Sequence, residues 1–361
     1  LMRSSAASDV YKRQELQEGN RSIFSRKLQE LMTDRLNKGQ QTILFLNRRG
    51  YAGFVSCRSC GEVMKCPHCD VSLSEHKGGR LICHYCGYTQ PMPKLCPKCG
   101  SKYILGFKAG TQQIEEKLKE LYPGVRTLRM DADTTRTKDS YEKILSSFAN
   151  GEADVLIGTQ MIVKGHDFPK VTLVGILAAD LSLNASDYRA GERTFQLLTQ
   201  AVGRAGRGVL PGEAVIQTYQ PDHYAITCAA AQDYESFYQE EILYRELSGY
   251  PPVAHMLAVQ IYGKEEENAK QLALRLTDVV KSNMDFLSGK QKEQSNKKIQ
   301  VLGPAPANIS KINDIYRYVF YVKHAEYDVL VEVKDRLEET LRQWQPRQMS
   351  IQFDFDPVSV L

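Results

Sequence analysis

The sequence predicts an α/β protein: a parallel sheet with helices on both faces, a cysteine-dense module inserted into it, and a small α+β domain behind. Three observations carry this. Apolar runs of strand length alternate with helical periodicity from Ile23 to about Leu247. Eight of the nine cysteines form four CxxC pairs between Cys57 and Cys99. Gly249-Tyr250-Pro251-Pro252 breaks the chain before a second alternation in the order β-α-β-β-α-β, the split βαβ arrangement.

The first fourteen residues show no usable periodicity and no apolar signal core, so they are read as a non-native or disordered tail, outside the fold. The main domain is then placed at 15–247, interrupted by a module at 57–102. Ile23, Phe24, Leu28, Leu31, Met32 and Leu36 recur at helical spacing. Thr42–Leu46 is a buried strand, and the module follows it. Ile104–Phe107 is a strand and Thr111–Tyr122 a helix, stopped by Pro123 and Gly124. Val125–Met130 is a strand, Lys138–Ala149 a helix, and Val155–Ile157 and Val171–Ala178 are short apolar strands. Thr194–Arg204 reads as a helix and Ala214–Thr218 as a strand. The apolar runs suit strands buried on both sides. The second domain, 253–361, reads as strands at Leu257–Tyr262, Ile299–Leu302, Tyr318–Val322 and Ser350–Phe355, with helices at Glu266–Met284 and Tyr327–Trp344.

Composition bounds the function. At about 150 residues per domain, 361 residues make two or three domains. Lys plus Arg is 47 against 43 for Asp plus Glu, with 42% apolar and 25% charged residues. These values exclude a disordered, collagen-like or supercharged chain. No apolar run reaches the 18 residues of a membrane helix. The surplus of four positive charges lies entirely between Cys57 and Lys102.

The pairs Cys57/Cys60, Cys66/Cys69, Cys83/Cys86 and Cys96/Cys99 predict two four-thiolate zinc sites. A CxxC turn lets two thiolates reach one ion while its backbone N–H groups face sulfur. Gly61, Gly87 and Gly100 follow three of the pairs, where positive φ is wanted, and Asp70 follows the fourth. A disulfide framework is the bland alternative, disfavoured because no secretory signal is visible. Thirteen residues separate the inner pairs, a zinc-ribbon spacing, so Cys66, Cys69, Cys83 and Cys86 form one site. Cys57, Cys60, Cys96 and Cys99 close the other at the base of the insertion, with sequential pairing as the competitor. Four thiolates per ion leave no open position, which argues for structural rather than catalytic zinc, and no Glu sits beside a His or Cys ligand as a hydrolase or deaminase needs. His68, His76 and His84 are read as surface residues. Arg58, Lys65, Lys77, Arg80, Lys94 and Lys98, with Tyr85 and Tyr88, combine phosphate contacts with base stacking, or form a merely solvated basic face.

Two stretches carry further chemistry. In Gln200-Ala-Val-Gly-Arg204-Ala-Gly-Arg207, helical spacing puts Gln200, Arg204 and Arg207 on one face, able to clasp an anion. Gly203 and Gly206 let another surface approach. In Asp154-Val-Leu-Ile-Gly158-Thr159-Gln160-Met161, continuing to Lys164-Gly165-His166-Asp167, a strand runs into a polar loop. Thr159 and backbone amides there suit a phosphate, and Asp167 a ribose hydroxyl or an arginine.

In this order the two stretches resemble the second, RecA-like motor lobe of superfamily 2 helicases. With Phe45-Leu-Asn-Arg48-Arg49-Gly50-Tyr51, Arg129-Met-Asp131-Ala-Asp133, Asp187-Tyr-Arg189, the eight-cysteine insertion, Val301-Leu-Gly-Pro-Ala-Pro306 and Asp354-Phe-Asp356-Pro357, the chain resembles the bacterial primosomal replication-restart helicases from about Ile23 to Leu361. That resemblance implies an ATP-dependent 3′→5′ DNA helicase that recognises stalled forks and restarts replication by primosome assembly. It implies Arg207 as arginine finger, Arg204 as its partner and Gln200 as the residue positioning them. It assigns Gly158, Thr159, Gln160, Lys164, Gly165, Asp167, Arg48 and Arg49 to DNA or the nucleotide cleft. ATP and Mg²⁺ are its implied cofactors besides zinc. Single-stranded and forked DNA, single-stranded-DNA-binding protein and helicase-loading proteins are its implied partners, for a monomer in the bacterial cytoplasm at the nucleoid. No G-x-x-x-x-G-K-[ST] and no DEAH-type box occur in the sequence, so the chain alone is expected not to hydrolyse ATP. The competing reading is a stand-alone zinc-dependent nucleic-acid-binding module.

Overall fold

The computed structural model describes residues 7–12, 15, 20, 22–46, 55–57, 59–60, 62–68, 71–76, 79–83, 86–106, 110–131, 134–135, 138–163, 167–185, 187–282 and 298–358. They fold as two compact units. The first comprises Leu1–Val63, Pro93–Ala185 and Arg189–Tyr238; the second comprises Met64–Met92, Ser186–Tyr188 and Gln239–Leu361.

The first unit is built on six parallel strands: β1 (Ala7–Lys12), β2 (Gln41–Leu46), β8 (Thr127–Met130), β9 (Val155–Gly158), β10 (Val171–Leu177) and β11 (Glu213–Thr218). Their order across the sheet is β1-β11-β10-β2-β9-β8. The central strands alternate between two cores. Ile43, Phe45, Val174, Ile176 and Ile216 meet α3 (Lys138–Ala149), α5 (Ala190–Val202) and α6 (Tyr224–Ala231) through Phe148, Leu198, Val202 and Ile226. Leu44, Leu46, Val155, Ile157, Leu173 and Val215 face α1 (Arg26–Asn37) and α2 (Thr111–Leu121) through Leu28, Met32, Ile114 and Leu118. At about 1.5–3 kcal/mol for each fully buried large aliphatic, these two faces dominate the stability of the unit. Ser25 starts α1, its hydroxyl accepting from the Leu28 N–H at 3.2 Å.

One expectation is corrected here. The segment read as a disordered tail supplies β1, which pairs in register with β11 from Ala7↔Glu213 to Lys12↔Thr218. Its six residues, Ala-Ser-Asp-Val-Tyr-Lys, carry no alternation of apolar and polar side chains for a period of two to register.

The inserted module contributes β3 (Val55–Cys57) paired with β7 (Ile104–Gly106) in the first unit. A three-stranded antiparallel sheet, β4 (Ser74–His76), β5 (Arg80–Ile82) and β6 (Thr89–Pro91), belongs to the second.

The second unit also holds a four-stranded antiparallel sheet of β12 (His255–Gly263), β13 (Gln300–Ile312), β14 (Ile315–His324) and β15 (Met349–Phe355), in the order β13-β14-β12-β15. With α8 (Glu266–Ser282) and α9 (Tyr327–Trp344) this is the split βαβ arrangement. β13 and β14 extend well past the apolar runs that announced them. Pro304 and Pro306 are tolerated because β13 is an edge strand with register shifts after Leu302 and after Pro306. The remaining helices are α4 (Asp180–Leu183) and α7 (Tyr234–Ser248), the latter ending just before Gly249-Tyr250-Pro251-Pro252.

Candidate metal centres and arginine turn

The four cysteine turns share one backbone pattern. The N–H of the first cysteine donates to the carbonyl five residues on: Cys57 to Glu62, Cys66 to Val71, Cys83 to Tyr88 and Cys96 to Ser101, each at 2.8 Å. Gly87 and Gly100 take φ of 77° and 70° and donate back to the Cys83 and Cys96 carbonyls at 2.9 Å. This tight reversal aims both sulfurs of a pair the same way. The side-chain sulfurs of Cys57, Cys60, Cys96 and Cys99 lie within 4.8 Å of one another, as do those of Cys66, Cys83 and Cys86. Cys69, expected as the fourth ligand of the second group, lies outside the described residues, as do Arg58, Lys77, Tyr85 and His84.

The Sγ separations are 3.6 Å for Cys57–Cys99, 3.6 Å for Cys60–Cys96 and 3.5 Å for Cys66–Cys86. A disulfide needs about 2.05 Å. A tetrahedron of sulfurs about 2.3 Å from zinc has edges of about 3.8 Å. The donor set therefore fits tetrahedral zinc and not disulfides. The thiols also oppose one another. Burial pushes Cys57 up, but the N–H groups of Cys60 and Ser59 outweigh it and bring the thiol down to about 7. Burial, together with the neighbouring thiols Cys99, Cys96 and Cys57, pushes Cys60 up to about 12. One thiolate forms readily and the next resists, until a cation neutralises the set.

The arginine turn departs from the expected helix face. α5 ends at Val202, so Gln200 sits exposed on its last turn while Arg204 and Arg207 lie beyond it. Gly206, at φ 72°, ends the reversal, and its N–H donates to the Val171 carbonyl at 3.1 Å. A Cβ on Gly206 would stand 2.4 Å from the Gly212 nitrogen, and one on Gly212 2.2 Å from the Gly206 nitrogen. A Cβ on Gly208 would stand 2.3 Å from the Pro169 carbonyl oxygen. Backbone thus lies against backbone at both points, which only glycine allows.

That packing places Arg207 and Arg204 at one carboxylate. Arg207 pairs with Asp167 and donates from Nε to the Gly203 carbonyl at 2.8 Å. Arg204 reaches the same Asp167 Oδ1 at 3.5 Å. Burial and the adjacent Arg207 pull the Arg204 guanidinium below the usual arginine range, opposed by Asp167. Arg207 stays about two-fifths exposed and Asp167 about two-thirds exposed. Two guanidiniums share one solvent-facing anion, an arrangement ready to exchange that carboxylate for a phosphate oxygen.

Gly158 and Thr159 occupy the other end of the sheet. Gly158 ends β9 beside the Met130 carbonyl, which a Cβ would meet at 2.6 Å, and the Thr159 N–H donates to that carbonyl at 3.3 Å. Gln160 opens a 3₁₀ turn, Gln160–Val163. The parallel register sets Gly158 level with Phe45, whereas the arginine turn packs on Val171, level with Gln41. Four residues of strand, about 13 Å, separate the two levels. The structure therefore joins Asp167 to the arginines and sets Gly158–Thr159 apart from them. Lys164, Gly165, Arg48 and Arg49 lie outside the described residues.

Sequence reasoning missed Gly208, Gly212 and Pro169 as residues that hold the turn. The density of glycine in Gly203–Gly212 was the available signal. Gly212→Ala is expected to lower stability by about 1–3 kcal/mol, read as a lower urea midpoint with unchanged slope. Gly39→Ala, at φ 64° with nothing within 4 Å, shows the cost of backbone strain without crowding, the opposite case to Gly212, whose φ lies outside the left-handed region.

The lobe defines a class. Residues 95–209 match the helicase conserved C-terminal domain. Residues 66–91 match the PriA DNA helicase Cys-rich region domain, and 246–358 the primosomal protein N C-terminal domain. The replication restart protein PriA of Bacillus subtilis is 44% identical over 97% of this chain and 42% of its own length. That of Synechocystis is 42% identical over 96% and 41%, and that of Haemophilus influenzae 35% over 94% and 43%. The chain is thus a relative of the bacterial replication restart proteins PriA, matching their C-terminal part and spanning about two-fifths of their length. No described helix is long and apolar enough to cross a membrane.

Proposed function

We propose that this chain is the portion of a DNA-translocating restart helicase that senses nucleotide and contacts DNA, and that it works only together with a nucleotide-binding lobe. The observation that carries this is the glycine-held turn that brings Arg204 and Arg207 to Asp167. Arg207, the more exposed of the two, would leave Asp167 for the γ-phosphate of ATP held by the other lobe, and so stabilise the charge developing in transfer. Arg204, more buried, would keep the turn and its partner carboxylate in place. Gln200 would position the pair from the end of α5. Gly158, Thr159 and Gln160, at the opposite level of the sheet, would meet the DNA backbone, with Lys164, Gly165, Arg48 and Arg49 beside them by motif. Forked DNA, single-stranded-DNA-binding protein and primosome-loading proteins are proposed partners of the whole protein, a monomer in the cytoplasm.

The eight module cysteines would hold two zinc ions, which when bound supply structural cross-links. Atomic absorption on the purified chain should give two zinc ions per chain; a value near zero with eight titratable thiols would remove the zinc reading.

Lys65, Arg80, Lys94 and Lys98 are exposed, although Lys98 already meets Glu62 at 3.1 Å. Tyr88 stands edge-on to His68. Weak binding of single-stranded DNA is expected, with three or four phosphate contacts at about 0.7 per contact giving a log–log salt slope of about −2 to −3. Fluorescence anisotropy of a labelled oligothymidine between 50 and 200 mM salt, roughly the range over which such contacts weaken, reads this directly. An affinity independent of salt would remove the DNA-contact role.

A further inference from the structure

The split βαβ sheet is buried on both faces, but its two helices cover only one. Leu257, Val259, Ile261, Phe320 and Val322 point to α8 and α9. The alternate residues Ala258, Tyr321 and Lys323, with Leu302 and Ala305 of β13, are each less than a tenth exposed on the opposite side. The cysteine module's inner part, Met64–Met92, belongs to the same compact unit. It reaches the second face beside residues 248–250, where Lys323 donates to the Ser248 carbonyl at 2.7 Å and lies over the Tyr250 ring. The turn after Cys86 brings Gly87 to β13, where a Cβ would be in ordinary contact with the Pro304 carbonyl oxygen at 3.4 Å and the Ala305 Cβ at 3.7 Å. Pro67 and His68, in the turn after Cys66, line a cleft of about 440 Å³ together with residues 246–250, Gln300, Leu302 and Lys323. One turn of the inner centre thus touches the C-terminal sheet and the other faces it across the cleft. The outer group, Cys57, Cys60, Cys96 and Cys99, lies in the other unit, where Cys57 ends β3.

We infer that the two metal centres brace different bodies: the inner centre folds a third layer that completes the C-terminal domain, and the outer centre closes the base of the motor-lobe insertion. This rests on the zinc reading above. Without the inner ion, the sulfurs of Cys66, Cys83 and Cys86 lose their cross-link, the layer loosens and Tyr321 and Ala305 meet water. The second face then keeps only the cover that Ser248 and Tyr250 give it. Metal loss at the inner centre would switch off whatever the C-terminal domain binds while sparing the lobe.

Hydrogen–deuterium exchange on the zinc-loaded chain tests this. Cys83→Ser should speed exchange of the 319–323 and 256–260 amides at least tenfold and leave the 42–46 and 172–177 amides unchanged. Cys96→Ser should do the converse around 55–57 and 104–106 and leave 319–323 protected. Should either serine variant fail to fold, Ala305→Leu, on the sheet side of the same contact, keeps all eight thiols and the Gly87 turn. It should retain two zinc ions and still loosen 319–323. Zinc stoichiometry is read in parallel. A native chain without zinc sinks the zinc reading. A chain with two zinc ions, in which Ala305→Leu or Cys83→Ser leaves 319–323 as protected as before, or in which both serine variants loosen both units alike, sinks this inference alone.

Discussion

Arg207→Ala is expected to lower kcat for DNA-stimulated ATP hydrolysis by about 10³-fold or more in a polypeptide that joins this chain to a nucleotide-binding lobe, with little change in the KM for ATP. The asymmetry follows from where the guanidinium is proposed to act. Arg207 lies on Asp167 and the Gly203 carbonyl. It contributes nothing to ground-state affinity if it reaches the phosphate only as charge develops there. Arg207→Lys keeps the charge but loses the planar fork, so it should recover only part of the rate. Arg204→Ala should also lower kcat, but with a fall in stability that Arg207→Ala lacks, because Arg204 is largely buried and Arg207 is not. The chain alone, lacking a phosphate loop in its sequence, should show no turnover above a protein-free blank, with or without DNA. Measurable turnover by the pure chain, abolished by Arg207→Ala, would overturn the division of labour between lobes. A finger variant that raised KM and spared kcat would make Arg207 a binding residue instead.

Legibility in the sequence followed the physics of each element. Lys138–Ala149 and Tyr327–Trp344 were read to the residue, because an amphipathic stripe of three turns or more outweighs local preferences. The nested grouping, favoured by spacing over a sequential one, agrees with the clusters of Cys57, Cys60, Cys96 and Cys99 and of Cys66, Cys83 and Cys86 among the described residues. The three-residue strands β3 to β7 are too short for any alternation to register. β1 was invisible because Ala7–Lys12 carries no alternating apolar pattern. The end of α5 was missed for another reason. Gly203 still has φ of −66°, so nothing local marks Val202 as the last residue. The reversal is fixed by Gly206 and Gly212 meeting at van der Waals distance, six residues apart, a tertiary condition that spacing cannot express. In the sequence Asp167 suits either a ribose hydroxyl or an arginine, and in the folded chain it meets arginine.

Glu241→Gln should destabilise the second unit by about 3–5 kcal/mol. Arg245 and Glu241 have side chains only 3% and 9% exposed, and Arg245 Nε donates to Glu241 Oε1 at 2.7 Å. Arg245 also donates to the Pro251 carbonyl at 2.8 Å and lies 4.9 Å over the Tyr188 ring. Tyr188 stacks on Tyr250 at 4.8 Å, and the Lys323 ammonium sits 4.0 Å over the other tyrosine while donating to the Ser248 carbonyl at 2.7 Å. Two cations therefore flank one pair of stacked rings. Glutamine in place of Glu241 keeps an acceptor but leaves the Arg245 charge buried beside a second cation. Urea unfolding followed by the fluorescence of Trp344, the sole tryptophan and part of α9, would read the loss in this unit. The magnitude belongs to the lost carboxylate charge and not to the hydrogen bond, which glutamine can still accept. Removing both partners, Glu241→Leu with Arg245→Met, should therefore restore most of the stability. The ion pair of Arg35 and Glu213 supplies the contrast. There the carboxylate is about one-third exposed, water screens what is left behind, and Glu213→Gln should cost about 1 kcal/mol at most. If Glu213→Gln and Glu241→Gln lowered stability equally, burial would not be what decides the worth of either pair.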